Sequence, residues 1–210
     1  MKTEQYSEKQ LKIISTAETL FANQGYDGTS VRDIADHAQV NVAMISYYFG
    51  SKEKLMQAIF EQRSDNLSMK VENLLKDSTL TPFGKIEALI DDYLDRIIQK
   101  YKFFKLMLCE QMMEKNIPIS QLLSNLKKRN LDLITRLIHD GQQKKVFKKG
   151  IDVVMLMNTL MGVSMHTFAN ADFYRHYYRM EHLSAGEYQE ALKKKITHHI
   201  KEVFKAIIMI

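Results

Sequence analysis

The sequence predicts an all-α protein in two parts, an N-terminal three-helix domain built on a helix-turn-helix and a C-terminal helical bundle. Three observations predict it. Apolar residues recur at helical spacing through nearly all of the 210 residues, only two prolines and eight glycines interrupt them, and two very short amphipathic segments meet at a tight turn near residue 40. The composition, 45% hydrophobic and 26% charged, is that of a soluble globular chain able to bury a sizeable core.

The elements follow in order. Residues 1 to 6 are polar and read as a frayed terminus or as a flexible arm carrying Lys2. From Ser7, Ile13, Ile14, Ala17, Leu20 and Phe21 mark a first helix that Gly25 stops. Ser30 stands three residues before Asp33, the spacing of a capping box, and Val31, Ile34 and Ala35 give the second helix its apolar stripe. After the turn at Ala38 to Val40, Asn41 is placed to cap a third helix in which Ile45 and Phe49 face inward. Ser51 offers a further cap, and Leu55, Ile59, Leu67, Val71, Leu74 and Leu75 hold helical phase for about six turns, predicting one long helix up to the break at Asp77 to Pro82. Such a helix is a natural lever between the two parts. Apolar stripes over 83 to 115, over 119 to 141, over 152 to 168 and from about Gly186 to the end predict the helices of the body.

Two short helices joined by so tight a turn suit the geometry that lays the second in a DNA major groove. At this point the residues resemble a known family. Thr29-Ser30-Val31-Arg32-Asp33-Ile34-Ala35 followed by Ile45-Ser46-Tyr47-Tyr48-Phe49-Gly50-Ser51-Lys52-Glu53-Lys54-Leu55 is similar to the DNA-binding headpiece of the TetR family of bacterial transcriptional regulators, with the match running over roughly residues 10 to 60. The resemblance implies an all-helical homodimer whose headpiece binds DNA and whose body binds a small effector and dimerises. Residues 1–54 are then the DNA-binding domain and 55–210 the ligand-binding and dimerisation domain. Gln39 stands where the family usually has Gly, and Ser46 where it often has an aromatic.

The expected contacts with double-stranded operator DNA are Thr29, Ser30, Arg32, Asn41, Val42, Ala43, Met44, Ser46, Tyr47, Tyr48, Lys52 and Lys54. Tyrosines reach phosphates or bases, Val42 and Ala43 suit thymine methyls, and the two lysines flank a helix start suited to phosphate. No Arg or Lys lies between Asn41 and Phe49, so shape and methyl contact are expected to outweigh guanine readout. Two such helices, related by a two-fold axis, read half-sites about 34 to 36 Å apart or more. The last two apolar stripes exceed what one small core needs, which predicts a homodimer interface through Val153, Leu156, Leu160, Ile196, Ile200, Val203, Phe204 and Ile207.

For the effector, Tyr101, Phe104, Met107, Leu108, Met112, Leu126, Asn130, Met157, Asn158, Met161, Met165 and His166 are the expected lining, since adaptable methionines with a few polar groups suit a hydrophobic or amphipathic ligand. Each methionine also serves well as core filler.

The net charge of +5 is no guide to DNA, because residues 1–60 carry −1 and the remainder +6. The basic residues Lys144, Lys145, Lys148, Lys149 and Lys193 to Lys195 read as solvated helix ends and faces. One cysteine, Cys109, fits the cytoplasm and is expected to be buried among its apolar neighbours. The seven histidines show no metal-ligand spacing, no nucleophile and base are paired, and the apolar run from Asp152 is short for a membrane span, so neither cofactor nor metal, enzyme nor membrane protein is expected. The expected function is a ligand-responsive regulator, a repressor released from its palindromic operator by the effector. The alternative is a helical-bundle carrier or adaptor that retains a vestigial headpiece.

Overall fold

The computed structural model describes residues 6–64, 66–113 and 117–210, leaving aside within them the side chains of 63, 64, 66–68, 113 and 117. Lys2 lies outside the described residues. Eleven helices occur among them: α1 (Glu8–Gln24), α2 (Val31–Ala38), α3 (Val42–Phe49), α4 (Lys52–Ser64), α5 (Asn66–Lys76), α6 (Pro82–Gln99), α7 (Tyr101–Met113), α8 (Ile117–Gln143), α9 (Val153–Ala169), α10 (Ala171–Tyr177) and α11 (Ala185–Ile208). The fold is all-α, and the one extended pairing described is an isolated antiparallel bridge between Phe147 and Met209. The helix expected to run unbroken from Ser51 is described as α4 and α5, and Asp65 between them lies outside the described residues.

Two compact units are present, and neither follows chain order. Met1–Asn66 joins Lys100–Lys127, while Leu67–Gln99 joins Lys128–Ile210.

In the first unit α1 starts at Ser7, whose side chain accepts from the Gln10 amide in a capping box, and ends at Gly25 with φ 78°. That helix packs on α2, α4 and α7. Its buried face, Ile13, Ile14, Ala17, Leu20 and Phe21, meets Ile34, Ala35 and Ala38 of α2, Leu55, Ile59 and Phe60 of α4, and Phe103 and Leu106 of α7 in one set of buried side chains. Phe60 and Phe103 stand 5.4 Å apart, centroid to centroid, so the headpiece core is completed by a helix about 80 residues downstream of α1.

In the second unit α11 packs on α6 and α9. Tyr188, Leu192, Ile196, Ile200, Phe204 and Ile208 form its buried face and join Leu89, Ile90 and Leu94 of α6 with Leu156 and Leu160 of α9 in one core. Alongside that apolar seam Lys201 Nζ lies 2.8 Å from an Asp91 carboxylate oxygen and Lys193 Nζ 2.5 Å from Asp95, so α6 and α11 are also paired by charge. Buried Lys85 donates to the Leu75 carbonyl at 3.1 Å and closes the carbonyl end of α5. The chain end is tied down as well. The Lys148 amide donates to Ile208 O at 2.8 Å, the Ile210 amide to Val146 O at 3.2 Å, and the buried Phe147 ring lies against Gly141.

Short α10 was not expected. It starts without a side-chain cap at Asn170, and its turn of aromatics, Phe173, Tyr174, Tyr177 and Tyr178, carries no clear apolar-to-polar alternation.

Candidate nucleic-acid interface and effector body

Local hydrogen bonds set the second and third helices in place. The Ser30 amide donates to Asp33 Oδ2 at 2.7 Å and the Asp33 amide returns a bond to Ser30 Oγ at 3.1 Å, closing the capping box at the start of α2. The side-chain and backbone bonds from Ser30 hold the Asp33 carboxyl below the usual carboxylate range. At the other end of α2, Gln39 takes the left-handed conformation, φ 55° and ψ 47°, and turns the chain into α3. Asn41 then accepts from the Ala43 amide at 2.9 Å and caps α3.

With Ile45 and Phe49 pinned in the core, the other side of α3 must face outward. Asn41, Val42, Ala43, Ser46 and Tyr47 are exposed, Tyr47 by 85%, while Met44 and Tyr48 are half-buried. The Tyr47 and Tyr48 rings meet edge to face, 5.4 Å apart. Arg32, Ser30 and Lys54 are exposed as well. This surface offers amide, hydroxyl and methyl groups at helical spacing, with few fixed charges.

Two of the expected contacts are placed otherwise. Thr29 is 1% exposed and its hydroxyl donates to Gly25 O at 2.9 Å, because the loop after α1 needs that carbonyl satisfied. The ammonium of Lys52 donates to Tyr26 O at 2.8 Å and Thr29 O at 2.9 Å and stands 4.1 Å over the Tyr26 ring, so it is engaged by the loop. Neither engagement is legible in the sequence, since each acceptor is a main-chain carbonyl 4 to 26 residues away.

Near this loop, α7 contributes a nearly buried carboxyl, Glu110. Burial raises its pKa, the neighbouring Asp27 raises it further, and Lys52 acts in the opposite sense. Glu110 was absent from the expected set. Cys109, expected to be buried, is exposed, because α7 packs through Phe103, Phe104 and Leu106 and turns Cys109 outward.

The twelve expected effector residues divide six and six between the two units. In the first, Phe104 is buried, Tyr101, Met107 and Leu126 are half-buried, and Leu108 and Met112 are exposed, Met112 by 77%. In the second, Met165 is buried, Asn130, Met157 and Met161 are half-buried, and Asn158 and His166 are exposed. Asn130 Oδ1 is itself buried and has no hydrogen-bond partner among the described residues. An open groove of about 250 Å³ in the first unit is lined by Gln111, Ser120, Leu123, Ser124 and Lys127, none of them among the twelve.

The expected interface residues need correction. Leu156, Leu160, Ile196, Ile200 and Phe204 are buried inside their own chain, Ile200 completely, because α6, α9 and α11 cover one another. Only Val153, Val203 and Ile207 keep accessible surface. The uncovered apolar surface of α9 lies instead at Val154 and Met155, the latter 58% exposed. Among the described residues no group of three or more His, Cys, Asp or Glu is placed to hold a metal ion, and no helix is long and apolar enough to cross a membrane.

Comparison with known proteins gives two family matches, to bacterial regulatory proteins of the tetR family over residues 13–59 and to the tetracyclin repressor-like C-terminal domain over residues 82–201. The chain is 46% identical over 72 residues to the probable HTH-type transcriptional regulator YttP of Bacillus subtilis (strain 168), a match that covers 32% of this chain and 35% of that protein. It is 23% identical over 154 residues to the fatty acid metabolism regulator protein of the same organism, covering 73% of this chain and 78% of the relative. A crystal structure of the transcriptional regulator FadR from Bacillus subtilis in complex with stearoyl-CoA matches with a TM-score of 0.67 at 19% identity, over 90% of this chain and 96% of that one.

Proposed function

This chain belongs to the TetR family of bacterial regulatory proteins, and from that premise we propose that it is a cytoplasmic repressor that binds palindromic operator DNA as a homodimer and leaves it when a small amphipathic effector binds. The observation that carries the reading is the outward face of α3, with Tyr47 exposed and Ile45 and Phe49 held inside. Residues 1–54 read DNA in this proposal and 55–210 bind the effector and dimerise. Exposed Ser30, Arg32, Asn41, Val42, Ala43, Ser46, Tyr47 and Lys54 make the contacts, with Met44 and Tyr48 at the edge, and Thr29 and Lys52 hold the loop behind them. The second copy covers Val153, Val154, Met155, Val203 and Ile207.

For the effector, a buried Asn130 carbonyl oxygen without a hydrogen-bond partner among the described residues supports a polar anchor in the second unit. A regulator of this fold bound to stearoyl-CoA makes a long-chain acyl-CoA the first ligand to test.

The test is fluorescence anisotropy on the chain's own upstream intergenic DNA across a salt series. Wild-type protein is expected to saturate one fragment with a steep salt dependence, Tyr47→Ala to weaken that binding by about tenfold or more, and stearoyl-CoA to release it. Equal, weak binding to every fragment would sink the proposal.

A further inference from the structure

Gln39 holds a backbone conformation that glycine adopts without steric cost, yet it presents a full side chain to solvent. The turn itself is closed by main-chain amides, that of Gln39 donating to Ala35 O and Asp36 O and that of Val40 to Ala35 O at 3.0 Å. The side chain makes a separate connection. Its Oε1 accepts from the ammonium of Lys12, on α1, at 3.4 Å, and both side chains are exposed. Lys12 has no ion pair with a carboxylate among the described residues.

The chemistry of the pair is one-sided. The bond from Lys12 takes up one lone pair of Gln39 Oε1, while the Gln39 side-chain NH2 and the remaining protons and charge of the Lys12 ammonium are left to donate. A cluster of donors carrying positive charge suits an anionic oxygen. Gln39 stands two residues before Asn41, the cap of α3.

We propose that Lys12 and Gln39 grip a phosphate of the DNA backbone and so seat the turn between α2 and α3 on the duplex. The inference rests on the DNA-binding function proposed above and adds to it a contact without sequence preference. Left-handed strain at residue 39 is then retained because a glycine there would turn the chain equally well and lose the grip.

Full-length wild type, Gln39→Gly and Lys12→Gln are compared by anisotropy on the operator fragment and on an unrelated duplex over a salt series, with thermal melting of each protein beside it. Gln39→Gly is expected to melt higher, since the strain is relieved, yet to bind both duplexes roughly tenfold more weakly, the size of one hydrogen bond to a charged group. Lys12→Gln is expected to lower the slope of log affinity against log salt by about one. These opposite signs separate a phosphate grip from a merely structural turn residue. Gln39→Gly that melts higher and binds both duplexes like the wild type overturns the inference, as does an unchanged salt slope in Lys12→Gln. A wild type that binds no duplex overturns the proposed function beneath it, and the inference with it.

Discussion

Glu110 shows what one misplaced-looking side chain does to a fold. Its carboxyl is nearly buried on α7 and carries a raised pKa, from burial first and the negative charge of Asp27 second. A carboxyl whose folded pKa lies above its unfolded value binds more protons in the folded state, so stability falls as pH rises through the window between the two and stays lower above it. Glu110→Gln is therefore expected to melt higher than wild type at pH 8, with the gap closing as pH falls to the ordinary glutamate range. A gap that is constant with pH would mean that the carboxyl is paired and solvated enough to ionise freely. The sequence marks Glu110 as an ordinary charged residue on a dense apolar helix. Its burial in the folded unit, with Asp27 and Lys52 brought near from 83 and 58 positions earlier in the chain, sets it apart. Thr29 and Lys52 teach the same lesson in reverse, since hydroxyl and ammonium groups suited to phosphate are engaged by carbonyls of the loop.

At the scale of the helices, the side-chain caps were the legible part, and the division of the stripe over 83 to 115 into α6 and α7 was not. Ser30 and Asn41 each cap the helix that their position predicts, Ser7 and Asp152 cap helices whose stripes were expected to begin at them, and Gly25 ends α1. Caps are local chemistry, fixed by two or three neighbouring residues, and local chemistry is written in the chain. Helix α10 escaped because nothing local announces it. The junction of α8 with the segment after it depends on distance as well. A Cβ added at Gly141 would stand 2.1 Å from Cδ2 of Phe147, a ring that is itself buried. Gly141→Ala is expected to cost about 1–3 kcal/mol of stability by denaturant titration, the range for overpacking a tight contact. An unchanged midpoint would mean that the Phe147 ring has room to turn aside.

Across the whole molecule, apolar periodicity identified α9 and α11 but not the partner of each stripe. A repeat of Ile196, Ile200 and Phe204 looks the same whether its own chain or a second copy covers it. Here α6 and α9 cover it, and the surface left over is at Val154, Met155 and Ile207. The two kinds of position respond differently to a charge. Met155→Asp is expected to shift the sedimentation coefficient from dimer to monomer with helicity retained, whereas Ile200→Asp, which buries an unpaired carboxylate, is expected to unfold the chain. A Met155→Asp protein that still sediments as a dimer would move the interface elsewhere on the surface.

The first compact unit draws its residues from two separated stretches, and this bears on how the chain is made. At the roughly 5–20 residues per second of synthesis, α7 follows α1 from the ribosome on the order of ten seconds later. During that interval the side of α1 that α7 will cover, in a unit where Phe60 awaits Phe103, is bare to the cell. Until residue 113 has emerged, that apolar side of α1 has no cover from its own chain, the kind of transient exposure that favours aggregation.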